Sequence, residues 1–235
     1  MKETTHTIKE LKAEVERLRS FVTDIHELSA ELVDGKEASH DEVAEKIRVE
    51  MERLRGLVFT DELTRVMNRR GFYERFEGIF REAVFFKTHP ETKRSLKIID
   101  FAIVFIDLDD FKQVNDTYGH DEGDRVLKAT AEFLQSQVRD IDGAARFGGE
   151  EFILALVGAN EDQAYEKGQE ALSALRERVT LSRAPDKAVT ASIGVAALRA
   201  SDADNLDELV GYADKAMYEA KTARGKNAVV RYSEL

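Results

Sequence analysis

Two stretches of this chain hold residues able to grip a cation and a phosphate chain. "VFIDLDDFKQVNDTYGHDEGD" puts Asp107 and Asp109 on either side of Leu108 at the end of an apolar run. On a strand they share a face, at the end where α/β folds bind ligands. "ARFGGEEFILAL" sets Gly148 and Gly149 before Glu150 and Glu151. Glycine weakens a strand interior and adjacent acids repel, so folding alone gains little from this order. Bare backbone does let a ligand approach closely. Two carboxylates, a backbone carbonyl and phosphate oxygens are a donor set that Mg²⁺ accepts. If the two strands are neighbours, Glu150 meets Asp107 across the ladder. Glu151, next in sequence, points to the opposite face and has a different task.

A short helix beginning near Phe111, capped by Asp109 or Asp110, offers backbone N–H groups to an anion, and Lys112 adds a cation. Gly119 suits its end, and Asn115 and Asp124 add polar groups within reach of the same surface. Read singly, the glycines are a turn and the acids solvated charges. Together they favour a site for a metal and a polyphosphate.

The elements that must position these groups are legible from periodicity. A helix is expected from Arg69 to about Phe86, then a loop at Pro90 and a buried strand in "IIDFAIVFID". Leu127, Ala131, Leu134 and Val138 mark one face of a helix following Gly123. "GAARF" and "EFILALV" form a hairpin turning at Gly148-Gly149. A helix over about 161–180, the strand "AVTASIGVAAL", a helix over 205–222 and the strand "NAVVRY" complete the order, with both prolines in loops. The expectation is an α/β (α+β) sandwich on a mixed, mostly antiparallel sheet.

The first 57 residues read differently. Ile8, Leu11, Val15, Leu18, Val22 and Ile25 follow an a/d heptad seam, and Leu32 returns at a later d position. Gly35 stops this helix, Ser39 and Glu42 make a capping box for the next, and Ile47, Met51, Leu54 and Val58 continue an apolar stripe. The simplest cover for such a stripe is a second copy of the chain. His6, His26 and His40 have no ligand spacing and read as solvated.

The 235 residues contain 43% hydrophobic and 34% charged side chains and no cysteine. Disulfide frameworks and Cys-based zinc sites are thereby excluded. The polar start "MKETTHTIKE" is no signal peptide, and no apolar run reaches the ~18 residues of a membrane span. A cytoplasmic protein without a membrane partner is expected. The net charge of −11 disfavours a nucleic-acid polymer as partner.

"RFGGEEF" resembles the signature loop of the GGDEF family, the diguanylate cyclases, in its GGEEF form. The likeness runs over about residues 58–233, through "TDELTRVMNRRGF", "FIDLDDFKQVNDTYGHDEGD", "SIGVA" and "ADKAMYEAKTARGKN". It implies a palm-like nucleotidyl-cyclase fold over residues 58–235, preceded by a helical coiled-coil segment over 1–57. It further implies condensation of two GTP into cyclic di-GMP with release of two pyrophosphates. Carried over, Asp107 and Glu150 are metal ligands with the Leu108 carbonyl, for two Mg²⁺ ions per active site, with Mn²⁺ as an alternative. Asn115 and Asp124 read the guanine. Phe111, Lys112, Lys221 and Lys226 hold the triphosphate, Gly148 and Gly149 lie under the nucleotide, and Glu151 sits beside the chemistry. The heptad stripe, with a reaction that needs two GTP-bearing domains, leads to the expectation of a homodimer through the N-terminal helices. Val66 and Met67 depart from the family's leucine step, and "KTARGKN" is one residue longer than the usual K-x-x-G-[RK]-N. No sensor domain is recognisable before the cyclase.

"RDID" gives Arg139 and Asp142 as RxxD, with five residues between Asp142 and the glycine pair, where the family has a product-binding inhibitory site. A second basic residue for it is expected at Arg176 or Arg178. Three other readings compete: a catalytically dead receptor for cyclic di-GMP, a coiled-coil interaction module, and a cyclase of different base choice. The intact acids and glycines oppose the first, Asn115 with Asp124 the second, and Asp124 the third.

Overall fold

The computed structural model describes residues 16–17, 19–27, 40–92, 98–182 and 184–235. The chain divides into two compact units, Met1–Gly56 and Leu57–Leu235.

In the first unit residues 19–27 are helical, and the next described residue, His40, opens helix α1 (His40–Phe59). Ile8, Leu11, Val15, Leu18, Leu32, Gly35, Ser39 and His6 lie outside the described residues, as do the side chains of His40 and Glu42. Val22, Ile47 and Met51 are exposed, as is Val58 at the start of the second unit. Glu50 is buried and accepts from Arg53 at 2.6 Å, with Arg17 3.7 Å away.

The second unit is built on a six-stranded sheet of order β1-β3-β4-β2-β7-β8. Its strands are β1 (Met67–Asn68), β2 (Phe101–Leu108), β3 (Gly143–Gly148), β4 (Glu151–Val157), β7 (Ala191–Ala197) and β8 (Ala228–Arg231). β1 runs parallel to β3 and β7 to β8, and the inner pairs are antiparallel. The expected mixed, mostly antiparallel sheet is what forms.

All of β2 is buried because both faces are covered. Ala102, Val104 and Ile106 join a core with Val126, Leu134 and Leu175, from α4 (His120–Ser136) and α5 (Glu161–Arg178). Phe101, Ile103 and Phe105 join another with Phe72, Phe76 and Leu209, from α2 (Arg69–Thr88) and α6 (Leu206–Thr222). Period-two alternation thus sends Asp107 to the α6 side.

Three expectations need correction. α4 starts at His120, so Gly123 lies inside that helix. The stretch after α5 forms a separate two-stranded sheet, β5 (Thr180–Leu181) with β6 (Ala184–Ala188), before β7 begins at Ala191. Pro185 therefore sits in a strand of that small sheet, where proline is tolerated because an edge strand leaves N–H groups unpaired.

α6 packs on β7 through Gly194. A Cβ there would overlap the Ala213 carbonyl oxygen and the Met217 amide, both backbone atoms unable to swing away. Overpacking of this kind costs about 3 kcal/mol. Gly194→Ala is expected to lower the melting temperature by about 6–12 °C, since each kcal/mol shifts it ~2–4 °C at this size. A melt within about 2 °C of the parent would mean that α6 rides loosely over β7.

Candidate active site

The polar cluster forms where β2 ends and the β3–β4 hairpin turns. Asp107 is 4% exposed, and Lys221 in the last turn of α6 donates to both its oxygens at 2.9 and 3.0 Å. The ladder partner of Asp107 is Glu151, and the expected pairing with Glu150 does not form. The register shifts between Arg146 and Gly148, so β3 runs through Gly148 and the hairpin turns at Gly149-Glu150. The Leu108 amide donates to the Glu150 carbonyl at 3.3 Å. The two glutamates do have different surroundings, but it is Glu151 that shares the Asp107 face.

Burial first, then the neighbouring charges of Glu150 and Asp109, raise the Asp107 carboxyl above its usual range despite Lys221. Burial also raises Glu151, with Asp107, Asp214 and Glu150 adding repulsion. Burial opposes the charge on Lys221, yet its bond to Asp107 leaves it raised. The cluster thus holds more negative charge than one lysine offsets.

On the other side of the hairpin a cleft of about 450 Å³ brings together Phe111, Lys112, Asn115, Asp124, Gly149 and Glu150. α3 (Phe111–Tyr118) and the start of α4 supply the first four, joined through Gly119, the C-cap of α3 (φ 90°). Gly123 lets the two helices close up, because a Cβ there would overlap the Asn115 side-chain oxygen. Above Gly149 the space is open, with nothing within 4 Å of a built Cβ. His120, Leu127 and Arg146 also line the cleft and were not foreseen. Arg146 donates to the Gly149 carbonyl at 2.7 Å and to Asp61 at 3.0 Å, tying the turn to "TDELT".

Neither aspartate caps α3 as expected. Asp110 occupies the N-cap position in a left-handed conformation (φ 54°) without a side-chain cap bond, and accepts from Lys226 at 2.6 Å. Asp109 turns away, into a buried network described below. The extra residue after α6 is absorbed by a left-handed run at Gly225, Lys226 and Asn227 (φ 78°, 70° and 50°).

Among the described residues no three His, Asp or Glu side chains converge on one metal position. Glu151 is the ladder partner of Asp107 and Glu150 is near enough to press on its charge, and Mg²⁺ is commonly held by one or two carboxylates plus substrate phosphates. The ammonium lodged on Asp107 marks where positive charge is wanted, so the residues fit the ion.

A second cleft, about 240 Å³, adjoins Arg139 and Asp142. Asp142 is buried and accepts from Arg139 Nε at 2.7 Å and the Val157 amide at 2.9 Å. Lys167 of α5 lines this cleft; Arg176 and Arg178 do not, and Arg178 lies over the Phe133 ring.

The family model described as diguanylate cyclase, GGDEF domain, matches residues 58–227. The chain belongs to the GGDEF family. Diguanylate cyclase A of Treponema denticola is 39% identical over 128 residues, 54% of this chain and 34% of that protein. Cyclic di-GMP phosphodiesterase NbdA of Pseudomonas aeruginosa is 34% identical over 175 residues, 74% of this chain but 21% of its own length. Of the first relatives this GGDEF chain spans between 21% and 44% of their length. Among solved structures, the coiled coil and GGDEF domain of DgcB from Caulobacter crescentus, in complex with c-di-GMP, aligns with a TM-score of 0.69. It is 25% identical and covers 87% of this chain and 98% of that one. No helix among the described residues of this GGDEF chain is long and apolar enough to cross a membrane.

Proposed function

We propose that this chain is a diguanylate cyclase, with residues 58–235 as the catalytic domain and residues 1–57 as a helical segment that pairs two copies. The observation that carries the reading is the hairpin turn Gly149-Glu150. It stands between the Asn115–Asp124 cleft on one side and the Asp107–Glu151–Lys221 cluster on the other.

In this reading each domain binds one GTP. Asp124 accepts from the guanine N1–H and amino group, and Asn115 completes the base contact. Phe111, Lys112, Lys221 and Lys226 hold the triphosphate, Lys221 leaving Asp107 and Lys226 leaving Asp110 to do so. Gly148 and Gly149 let the nucleotide lie on bare backbone. Divalent cations held by Asp107, the Leu108 carbonyl and Glu150 supply Lewis-acid stabilisation of the charge developing on phosphate, two Mg²⁺ per site with Mn²⁺ as an alternative. The 3′-oxygen of one GTP bonds to the α-phosphorus of the other, and the bond from that phosphorus to the bridging oxygen breaks, releasing pyrophosphate. The hydroxyl proton passes to a nearby base, and the raised carboxyl of Glu151 suits that task. Repetition with the roles exchanged closes the cyclic product. Incubating the purified chain with GTP and Mg²⁺ and identifying the product tests the reading. Cyclic di-GMP is expected; binding of cyclic di-GMP without turnover would make the chain a receptor instead.

Base choice rests on Asp124. Adenine lacks the paired donors, and leaving a carboxylate unpaired on binding costs on the order of a lost charged hydrogen bond, about 1.5–3 kcal/mol. Asp124→Ser is expected to weaken GTP use about tenfold or more and to narrow the preference over ATP. Unchanged selectivity would show that guanine is read elsewhere.

Feedback is proposed at the second cleft. Arg139 presents a planar fork to phosphate and a guanine edge, and Asp142 holds that fork in place. Lys167 replaces Arg176 and Arg178 as the second basic residue. Two domains tied by product there keep their catalytic clefts apart, so inhibition is noncompetitive with GTP. Arg139→Ala should relieve the slowing of progress curves while initial rates stay within about twofold. Equal slowing in variant and parent would reduce Arg139 and Asp142 to a fold contact.

A further inference from the structure

Asp109 is 6% exposed, yet it lies beside the Asp107 cluster, where another negative charge is unwelcome. It accepts from Thr190 Oγ1 at 2.8 Å, Ser192 Oγ at 2.7 Å and the Asn227 amide at 3.0 Å. Its own amide donates to the Thr190 carbonyl at 2.8 Å. Both carboxylate oxygens are used, Oδ2 for two of the donors. An asparagine could keep this network, its oxygen accepting from Thr190 and the Asn227 amide and its NH₂ donating to the Ser192 hydroxyl, so what the fold needs here is a short side chain with an accepting oxygen towards Asn227.

The three donors come from two segments: the residues opening β7, and the turn after α6, whose following residue Ala228 pairs with Ser192. That turn holds Lys226 and Asn227 in the left-handed region, which asparagine tolerates but a lysine adopts only at a cost its surroundings must offset. The turn backbone is held by the bond from the Lys226 amide to the Ala220 carbonyl at 3.0 Å, by the bond from the Asn227 amide to Asp109, and by the β7–β8 ladder that begins at Ala228 opposite Ser192. With them in place, the Lys226 ammonium reaches Asp110 at the start of α3.

We infer that Asp109 is a positioning residue: its carboxylate fixes the turn after α6 so that Lys226 is aimed at the phosphate chain of a nucleotide. The inference rests on the cyclase reading for the identity of that nucleotide. Asp109 touches no substrate and acts through the Asn227 amide.

The test compares binding of the α,β-methylene analogue of GTP and of GMP, both with Mg²⁺, to the full chain and to Asp109→Leu, which keeps the branched shape and removes both accepting oxygens. The triphosphate analogue should bind the variant at least tenfold more weakly, while GMP, which lacks the phosphates Lys226 reaches, stays within twofold. Equal losses for both ligands, or no loss for the analogue, overturn the inference. Amide hydrogen exchange in the parent chain is the second measurement and needs no variant to fold. The Asn227 amide should be protected at least a hundredfold over the unstructured rate, although its residue is exposed; an unprotected amide overturns the inference. If the parent binds neither nucleotide, the cyclase reading falls, and the exchange result decides the role of Asp109 in the turn.

Discussion

Glu150→Gln should lower turnover about a thousandfold or more while the melting temperature stays within about 2 °C. The side chain opens into the cleft and is not part of either core, so the change of one atom scarcely alters packing. What is lost is a negative charge at the proposed cation site. Metal stabilisation of a phosphoryl transfer is worth several kcal/mol, and each ~1.4 kcal/mol is a factor of ten in rate. The proposed guanine contacts through Asn115 and Asp124 are untouched, so GTP binding should persist. Turnover at the parental rate would remove Glu150 from the metal site.

The second large effect concerns assembly. One GTP per domain means that each 3′-hydroxyl must meet the α-phosphate held by another domain, so a single domain carries half a reaction centre. Pairing through the N-terminal segment would keep the second domain at an effective concentration of about 1 mM. Without residues 1–57, at enzyme concentrations of about 10 nM, that advantage disappears. Specific activity should then fall roughly tenfold for each tenfold dilution, while the full chain holds its specific activity. Matching dilution curves would show that the segment has no part in assembly.

The sheet and its helices were legible because burial on both faces leaves a strong signal. "FAIVFIDL" cannot be amphipathic and sits at the centre, and Phe72, Phe76 and Leu134 fall on core faces at helical spacing. The hairpin register was not legible. Gly-Gly is a good turn pair, yet the irregularity between Arg146 and Gly148 moves the turn one residue on, and only long-range pairing with β2 fixes it. The same limit hid Arg146, whose partners Asp61 and the Gly149 carbonyl are far apart or on the backbone. Asp109 was misread because local rules offer an aspartate before a helix as a cap. Its true partners, Thr190, Ser192 and Asn227, are more than eighty residues downstream.

The sheet has another consequence. Its outermost strands are the shortest, β1 with two residues and β8 with four. A free strand edge is a template on which a neighbouring chain can add its own strand, the first step towards fibrillar aggregation, and short edges blunt it. Two copies held at millimolar local concentration would be exposed to that hazard continuously. With edges this short, each six-stranded sheet would offer such a neighbour little unpaired backbone, so pairing of two copies would not invite the sheets to fuse.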